Sequence, residues 1–321
     1  MLLHKYSSLA LAVVCLLLLA IIARAQDKDQ PVEVIPYPPL VRLNVLVTNS
    51  SNHPVTDLRA EEFHVLEDGK PQNIMYFSRE ELPISYGLVV DSSGSMRALL
   101  GHVIEAGKKI IESNKPGDET FLLSFVDAKR IQVEQDFTSN KYALSDALDS
   151  IYIEGGLTAL IDAINRSIDY LKKNKRSNND ARRRQVIILI TDGEDRGSRS
   201  RNQELLLNRL REEDVQFFII GLSKLASLQS SAERAVDFLK RIAAASGGRA
   251  VFPESTAEIP GAVEEIVRDL RTQYVISYTP TNKAYDGSFR TIQVTVPDSP
   301  TRNHLNVITK PGYIATPRML K

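Results

Sequence analysis

Oxygen-bearing side chains recur at alternate positions where an apolar run ends. Asp91, Ser93 and Ser95 follow Val89-Val90, and Gly94 between the two serines permits a tight turn. Carboxylate and hydroxyl oxygens that converge on one small volume are ligands for a hard cation such as Mg²⁺. The spacing therefore predicts a metal site at the end of a strand.

Two later segments bring oxygen side chains to the same kind of position. Thr158 precedes an amphipathic helical pattern, and Asp192 follows the most apolar run of the chain, Val186–Ile190. In an open α/β sheet, ligands bind beyond the carboxyl ends of the strands. We expect these two side chains to lie beside the first three, although each residue taken alone would also suit a helix cap or a turn.

The donor set predicts which metal would bind. Only Asp91 and Asp192 carry charge, so a divalent ion would retain room for water, as Mg²⁺ commonly does, whereas a closed Ca²⁺ cage uses more carboxylates. Mg²⁺ or Mn²⁺ is therefore the expected cofactor. Glu194, Asp195 and Asp127 lie near these segments and either orient metal-bound water or face solvent as loop acids.

The elements that must position these residues alternate between strand and helix after Pro83. Strands are predicted at 85–90, 120–126, 185–191, 215–221 and 249–252, with an edge strand at 131–137, and helices at about 98–113, 141–150, 159–173, 202–213, 232–245 and 260–272. This order predicts an α/β fold with a doubly wound, mostly parallel sheet.

The flanking segments have β patterns. Near the amino terminus, Val41–Thr48 alternates, and Phe63–Glu67 is predicted to form a hairpin with Ile74–Phe77 around Asp68-Gly69. Near the carboxyl terminus, strands are predicted at 274–279, 290–296 and 306–309. Neither flank has enough strands for a stable sheet, so we expect them to pair into one small sandwich around an inserted α/β unit. The competing arrangement is two separate appendages. The predicted boundaries are 26–82, 83–272 and 273–321.

Residues 1–25 have the pattern of a secretory signal, with a charged start, an apolar run from Leu9 to Ile22 and small residues before Gln26. An uncleaved anchor is the alternative, but about 14 apolar residues fall short of the roughly 20 that span a bilayer. We therefore expect an exported protein, periplasmic or secreted, without a membrane span in its mature chain. The only cysteine, Cys15, lies in the removed segment. The 40 basic and 40 acidic residues balance, which gives no reason to expect a nucleic-acid partner.

The five oxygen residues resemble the metal-ion-dependent adhesion site (MIDAS) of the von Willebrand factor A domain. That family has Asp-x-Ser-x-Ser, a Thr after the second helix and an Asp in a Thr-Asp-Gly turn, and the matching positions here are Asp91, Ser93, Ser95, Thr158 and Asp192. The resemblance covers about residues 84–272, and the flanks resemble bacterial exported proteins related to this domain. It implies that the metal captures an Asp or Glu carboxylate of a partner protein.

Three functional hypotheses follow. The resemblance favours a metal-dependent binding module of the adhesion type. The alternative is a structural or assembly component of the cell envelope with an incidental metal site. An enzyme is disfavoured, because the predicted metal loops offer no base to activate Ser93 or Ser95 and no nucleophile elbow or phosphate-binding loop occurs in the sequence.

Overall fold

The computed structural model of the protein describes residues 40–174, 183–226, 229–298 and 304–316. The predicted signal, residues 1–25, lies outside these ranges. Fourteen strands are formed within the described residues: β1 Val41–Thr48, β2 His64–Glu67, β3 Lys70–Gln72, β4 Ile74–Ser78, β5 Ile84–Asp91, β6 Glu119–Phe125, β7 Ile131–Thr138, β8 Arg184–Thr191, β9 Gln216–Gly221, β10 Arg249–Val251, β11 Tyr274–Tyr278, β12 Phe289–Thr295, β13 Asn306–Ile308 and β14 Gly312–Ile314.

Six of these strands form a central sheet in the order β10-β9-β8-β5-β6-β7. Neighbouring strands are parallel except β6 and β7, which are antiparallel, so the predicted edge strand is confirmed. Every residue of β5 is buried, because apolar side chains on both faces are covered by helices. The doubly wound, mostly parallel α/β fold is therefore confirmed.

Helices cover both faces of this sheet. Their bounds are α1 Leu100–Glu112, α2 Lys141–Asp149, α3 Leu160–Lys173, α4 Gln203–Glu212, α5 Ser223–Ala226, α6 Gln229–Ser246 and α7 Ile259–Arg271. Apolar residues of α1, α2 and α7 pack on one face, and those of α3, α4 and α6 pack on the other. Asparagine side chains cap two of the helices, Asn140 at α2 and Asn202 at α4, by accepting backbone N–H bonds of the first turn.

The flanking strands form a sandwich of two four-stranded sheets, ordered β13-β1-β11-β4 and β14-β12-β2-β3. Both sheets combine strands from the two ends of the chain: β1 pairs with β11 and β13, and β2 pairs with β12. Leu43, Phe63, Tyr274 and Ile276 contribute to the shared core. The α/β unit is thus inserted between two halves of one sandwich.

The predicted partner of β2 was wrong. β2 pairs with β3, and Ile74–Ser78 crosses to the other sheet and pairs with β11. Asp68 and Gly69 both have positive φ, 47° and 75°, and their two-residue turn places Lys70 directly opposite Glu67. The returning strand must therefore begin at Lys70 rather than four residues later.

Candidate metal centre

Asp91 is the last residue of β5, and hydrogen bonds hold both of its carboxylate oxygens. Oδ1 accepts the backbone N–H of Ser93 at 3.0 Å, and Oδ2 accepts the hydroxyl of Thr191 at 2.6 Å. Thr191 ends the neighbouring strand β8, and its Oγ1 also accepts the N–H of Gly193 at 3.0 Å. The parallel pairing of β5 and β8 thus fixes the position of the Asp91 carboxylate.

Three hydroxyls from two separate segments of the chain meet beside this carboxylate. Ser93 Oγ lies 3.1 Å from Ser95 Oγ and accepts the hydroxyl of Thr158 at 2.9 Å, although Thr158 is 65 positions away. Ser93 and Thr158 are buried, whereas Ser95 is exposed. The cluster therefore opens to solvent at Ser95.

Asp192, directly after β8, is fully buried and close enough to Asp91 to interact with its charge. Its Oδ1 accepts the N–H of Glu194 at 3.0 Å. Its Oδ2 is buried and has no hydrogen-bond partner among the described residues. A buried carboxylate oxygen without a partner is costly, so this atom has the chemistry of a ligand.

The electrostatics of Asp91 and Asp192 also favour a bound cation. Burial, and after it the charge of Asp192, raise the pKa of Asp91 to about 7. Two buried acids that repel each other are relieved by a cation between them. In the part of the chain that the structure describes, no group of three or more His, Cys, Asp or Glu side chains could hold a metal. A metal here would have to draw on hydroxyl oxygens, which are hard ligands suited to Mg²⁺ or Mn²⁺, and the residues present fit such an ion.

Two neighbouring loops hold Thr158 in place. Its carbonyl accepts the N–H groups of Arg196 and Gly197 at 2.9 and 2.8 Å, from the loop after β8. The next residue, Ala159, donates its N–H to Val126 at the end of β6 at 3.2 Å. A Cβ on Gly197 would lie 2.2 Å from the carbonyl oxygen of Leu157, so this approach requires glycine. The proposed ligands are therefore mounted on mutually bonded loops.

The other acidic residues near the site have hydrogen-bond or ion-pair partners of their own. Asp195 accepts the N–H of Ile161 at 3.3 Å and so caps the start of α3, and burial raises the pKa of its carboxyl. Glu194 pairs with Arg196 at 2.9 Å. Asp127 pairs with Arg130, whose guanidinium lowers the pKa of the Asp127 carboxyl.

The structure places all five sequence-predicted residues together. Thr191 was missed as a positioning residue, although the Thr-Asp-Gly turn marked its position.

The sequence model of the von Willebrand factor type A domain matches residues 87–267, more than half of the 321-residue chain. No curated protein matches the chain.

Solved structures with a similar fold have low sequence identity to this chain. Proximal thread matrix protein 1 from the mussel byssus is 21% identical, with a TM-score of 0.50, over 64% of this chain and 51% of its own. A second structure of that protein, with a zinc-occupied MIDAS motif, has a TM-score of 0.48 and 20% identity over 64% of this chain and 49% of its own. The conserved hypothetical protein BatB from Bacteroides thetaiotaomicron has a TM-score of 0.44 and 18% identity over 58% of this chain and 98% of its own. This chain thus spans about half of the mussel protein, and the likeness shows the fold alone.

Proposed function

This chain belongs to the von Willebrand factor type A domain family, and from that premise we propose that it is a metal-dependent protein-binding module. Its proposed ligands for Mg²⁺ or Mn²⁺ are Asp91, Ser93, Ser95, Thr158 and Asp192. The ion, when bound, would supply a coordination position for a carboxylate of a protein partner. The observation that carries the proposal is the buried Asp192 Oδ2, which has no partner among the described residues. The charge of Asp192 acts on a second buried acid, Asp91, and Asp91 contacts Ser93 of the three-hydroxyl cluster.

The burial of the proposed ligands favours a metal site that is open on one side to a partner carboxylate over one that the protein encloses. Asp91, Ser93, Thr158 and Asp192 are buried, so they form the floor of the site, and exposed Ser95 marks its opening. Leu157, 58% exposed, lies next to Thr158 and offers apolar surface to an incoming chain. A partner would therefore approach past Ser95 and Leu157.

We also propose that the protein is exported and acts in the periplasm or outside the cell. The support is the signal pattern of residues 1–25. Separately, none of the helices in the described ranges has the length and hydropathy to cross a membrane. As a binding module, the protein should leave generic phosphoester and ester substrates unhydrolysed in Mg²⁺, and metal-dependent turnover that Asp91→Ala abolishes would contradict this part of the proposal.

Metal binding can be tested directly with Mn²⁺. Titration followed by the electron paramagnetic resonance signal of free Mn²⁺ should give one site per chain. Ser93→Ala removes the hydroxyl that contacts both Ser95 and Thr158, and should weaken binding at least about tenfold. Ser150→Ala is the matched control, because that exposed hydroxyl bonds only the carbonyl of Ala147. Absence of binding by the unaltered protein, or equal binding by both variants, would refute the site.

Capture of a carboxylate is tested with a labelled peptide that contains one aspartate. Binding should require Mg²⁺, disappear in EDTA and disappear in Asp91→Ala. If the peptide binds equally well in EDTA and to Asp91→Ala, the alternative of a structural envelope component with an incidental metal site would be favoured.

A further inference from the structure

Two loops beside the candidate metal centre carry exposed cations that have no carboxylate partner among the described residues: Lys129, Arg199 and Arg201, here termed the basic rim. We propose that the basic rim selects partner segments in which further acidic side chains flank the carboxylate taken by the metal. This inference rests on the proposed function and names the class of partner as an acidic peptide.

The basic rim is attached to the site by backbone contacts. Lys129 lies in the turn between β6 and β7, three residues after Val126, whose carbonyl accepts the N–H of Ala159 at 3.2 Å. Arg199 and Arg201 lie in the loop after β8, which donates two N–H bonds to the Thr158 carbonyl. Arg199 Nη2 donates to the Ala128 carbonyl at 3.3 Å and joins the two loops. The rim therefore borders the Thr158 side of the opening.

Acidic side chains around these loops are already engaged. Arg130 pairs with Asp127 and Glu154, Arg196 pairs with Glu194, Asp195 caps α3, and Asp162 accepts the backbone N–H of Arg199 at 2.9 Å. These acids have charged or backbone partners of their own, so the rim cations remain available to an outside anion.

The rim arginines are oriented but not saturated. The Arg199 guanidinium donates to the carbonyl of Ala128 at 3.3 Å, and the Arg201 guanidinium donates to the carbonyl of Arg196 at 2.5 Å. A guanidinium has five donors, so each keeps donors for a carboxylate while its carbonyl contact reduces the side-chain freedom lost on binding. Lys129 adds a third positive charge on a flexible stem.

The magnitude follows from exposed ion pairs, each of which changes affinity by a factor of about two to five. Two or three such contacts give a preference of about tenfold for a peptide with acidic flanks. The probe pair consists of a peptide with a central aspartate and two glutamates on each side, and the same peptide with glutamine in place of each glutamate. Dissociation constants are measured in Mg²⁺ by fluorescence anisotropy.

The test variant is Lys129→Gln, Arg199→Gln and Arg201→Gln combined. Its preference for the acidic probe should fall to within about twofold, while its affinity for the glutamine probe stays unchanged. Circular dichroism and Mn²⁺ binding check that the fold and metal centre are intact. A preference as large as in the unaltered protein overturns the inference, and so does an unaltered protein that prefers neither probe.

A control variant removes the same charge elsewhere: Lys109→Gln, Lys173→Gln and Arg211→Gln, in the last turns of α1, α3 and α4. These helix ends lie at the opposite edge of the sheet from the carboxyl ends of its strands. The control variant should keep the tenfold preference for the acidic probe. If it loses this preference as fully as the rim variant does, the effect is one of net charge and the inference about the basic rim is overturned.

The two proposals fail differently. If both probes bind equally and only with Mg²⁺, the inference about the basic rim is overturned and the proposed function stands. If the acidic probe is still preferred in EDTA, the proposed function is overturned and the basic rim remains a surface that binds acidic peptides. A short polyphosphate that binds more tightly than the acidic probe, and loses this affinity in the rim variant, overturns the choice of an acidic peptide.

Discussion

Glu67 and Arg290 form an ion pair inside the sandwich, where their side chains are 2% and 1% exposed. Glu67 Oε1 lies 3.0 Å from Arg290 Nη1, and Oε2 accepts the hydroxyls of Tyr278 and Tyr313 at 2.8 and 3.0 Å. Tyr278 belongs to one sheet of the sandwich, and the other three residues belong to the opposite sheet. This network therefore links the two sheets through one carboxylate.

Glu67→Gln should lower the free energy of unfolding by about 3–5 kcal/mol, because it leaves the buried Arg290 charge uncompensated. Urea denaturation measures this change. The control is Arg59→Gln: Arg59 is 77% exposed and lies 3.8 Å from Glu62, and loss of such a pair should cost less than about 1 kcal/mol. Equal costs for the two variants would show that the buried network carries no special weight.

Asp269 of α7 is a buried acid whose ionisation opposes folding. Its side chain is fully buried beside Arg249, at 2.6 Å, and burial raises its pKa to about 6 despite that arginine. Since the folded pKa exceeds the unfolded value of about 3.9, the folded state holds the proton more tightly. The stability that Asp269 contributes is therefore present at acidic pH and lost as pH rises from about 4 to about 6.

The matched variant is Asp269→Asn, which cannot titrate. The unfolding free energy of the unaltered protein, minus that of the variant, should fall by about 2 kcal/mol between pH 4 and pH 7. Chemical denaturation at four pH values measures the difference. A difference that is constant or rises with pH would contradict the assigned burial.

The five candidate ligands could be predicted as residues because their chemistry and spacing are local features of the sequence. The role of Thr191 and the exposed side of the site could not. Thr191 reaches Asp91 only because β5 and β8 are neighbours in a register that pairs Val90 with Ile190. Such registers depend on the packing of the whole sheet.

The β2–β3 hairpin depends on its turn. Gly69 has a φ of 75°, and a Cβ there would meet nothing within 4 Å, so Gly69→Ala tests backbone strain alone. It should destabilise the protein by about 1 kcal/mol. Gly101→Ala is the control, since Gly101 lies in α1 with equally open space, and alanine there should stabilise the helix by up to about 1 kcal/mol. Thermal unfolding distinguishes the two signs, and a stabilising Gly69→Ala would refute the turn.

Long elements were predictable, and the elements that the sequence did not predict are short. The buried strands and amphipathic helices of the α/β unit have clear periods, and their predicted bounds agree with the structure to within about three residues. β3, β14 and α5 have three or four residues each, too few to establish a period. The alternation of β4 identified a strand but could not tell which sheet it joins.

At the scale of the whole molecule, the sandwich needs both ends of the chain. A chain that stops after Thr272 loses β11 to β14, which leaves β1 and β4 without a partner strand and β2 with β3 alone. Amide hydrogens of residues 41–78 should then exchange at least about a hundredfold faster, because two or three remaining strands are marginal in water. A chain that stops after Thr316 keeps every described strand and is the control. Unchanged protection in the shorter chain would contradict the shared sandwich.

This nesting was predictable because each flank alone lacked enough strands, which made mutual pairing the favoured solution. The pairing order was not predictable, because apolar alternation identifies a buried face without identifying the neighbouring strand.

The entry and exit of the inserted α/β unit bind the same carboxylate. Asp118 Oδ1 accepts the N–H of Ile84, the first residue of β5, at 2.9 Å, and its Oδ2 lies 2.7 Å from Arg271, the last residue of α7. A segment whose two ends lie side by side can be inserted into a surface turn of another protein with little displacement of the strands that flank the turn. Residues 84–271 are therefore a candidate for insertion into an unrelated β-sandwich.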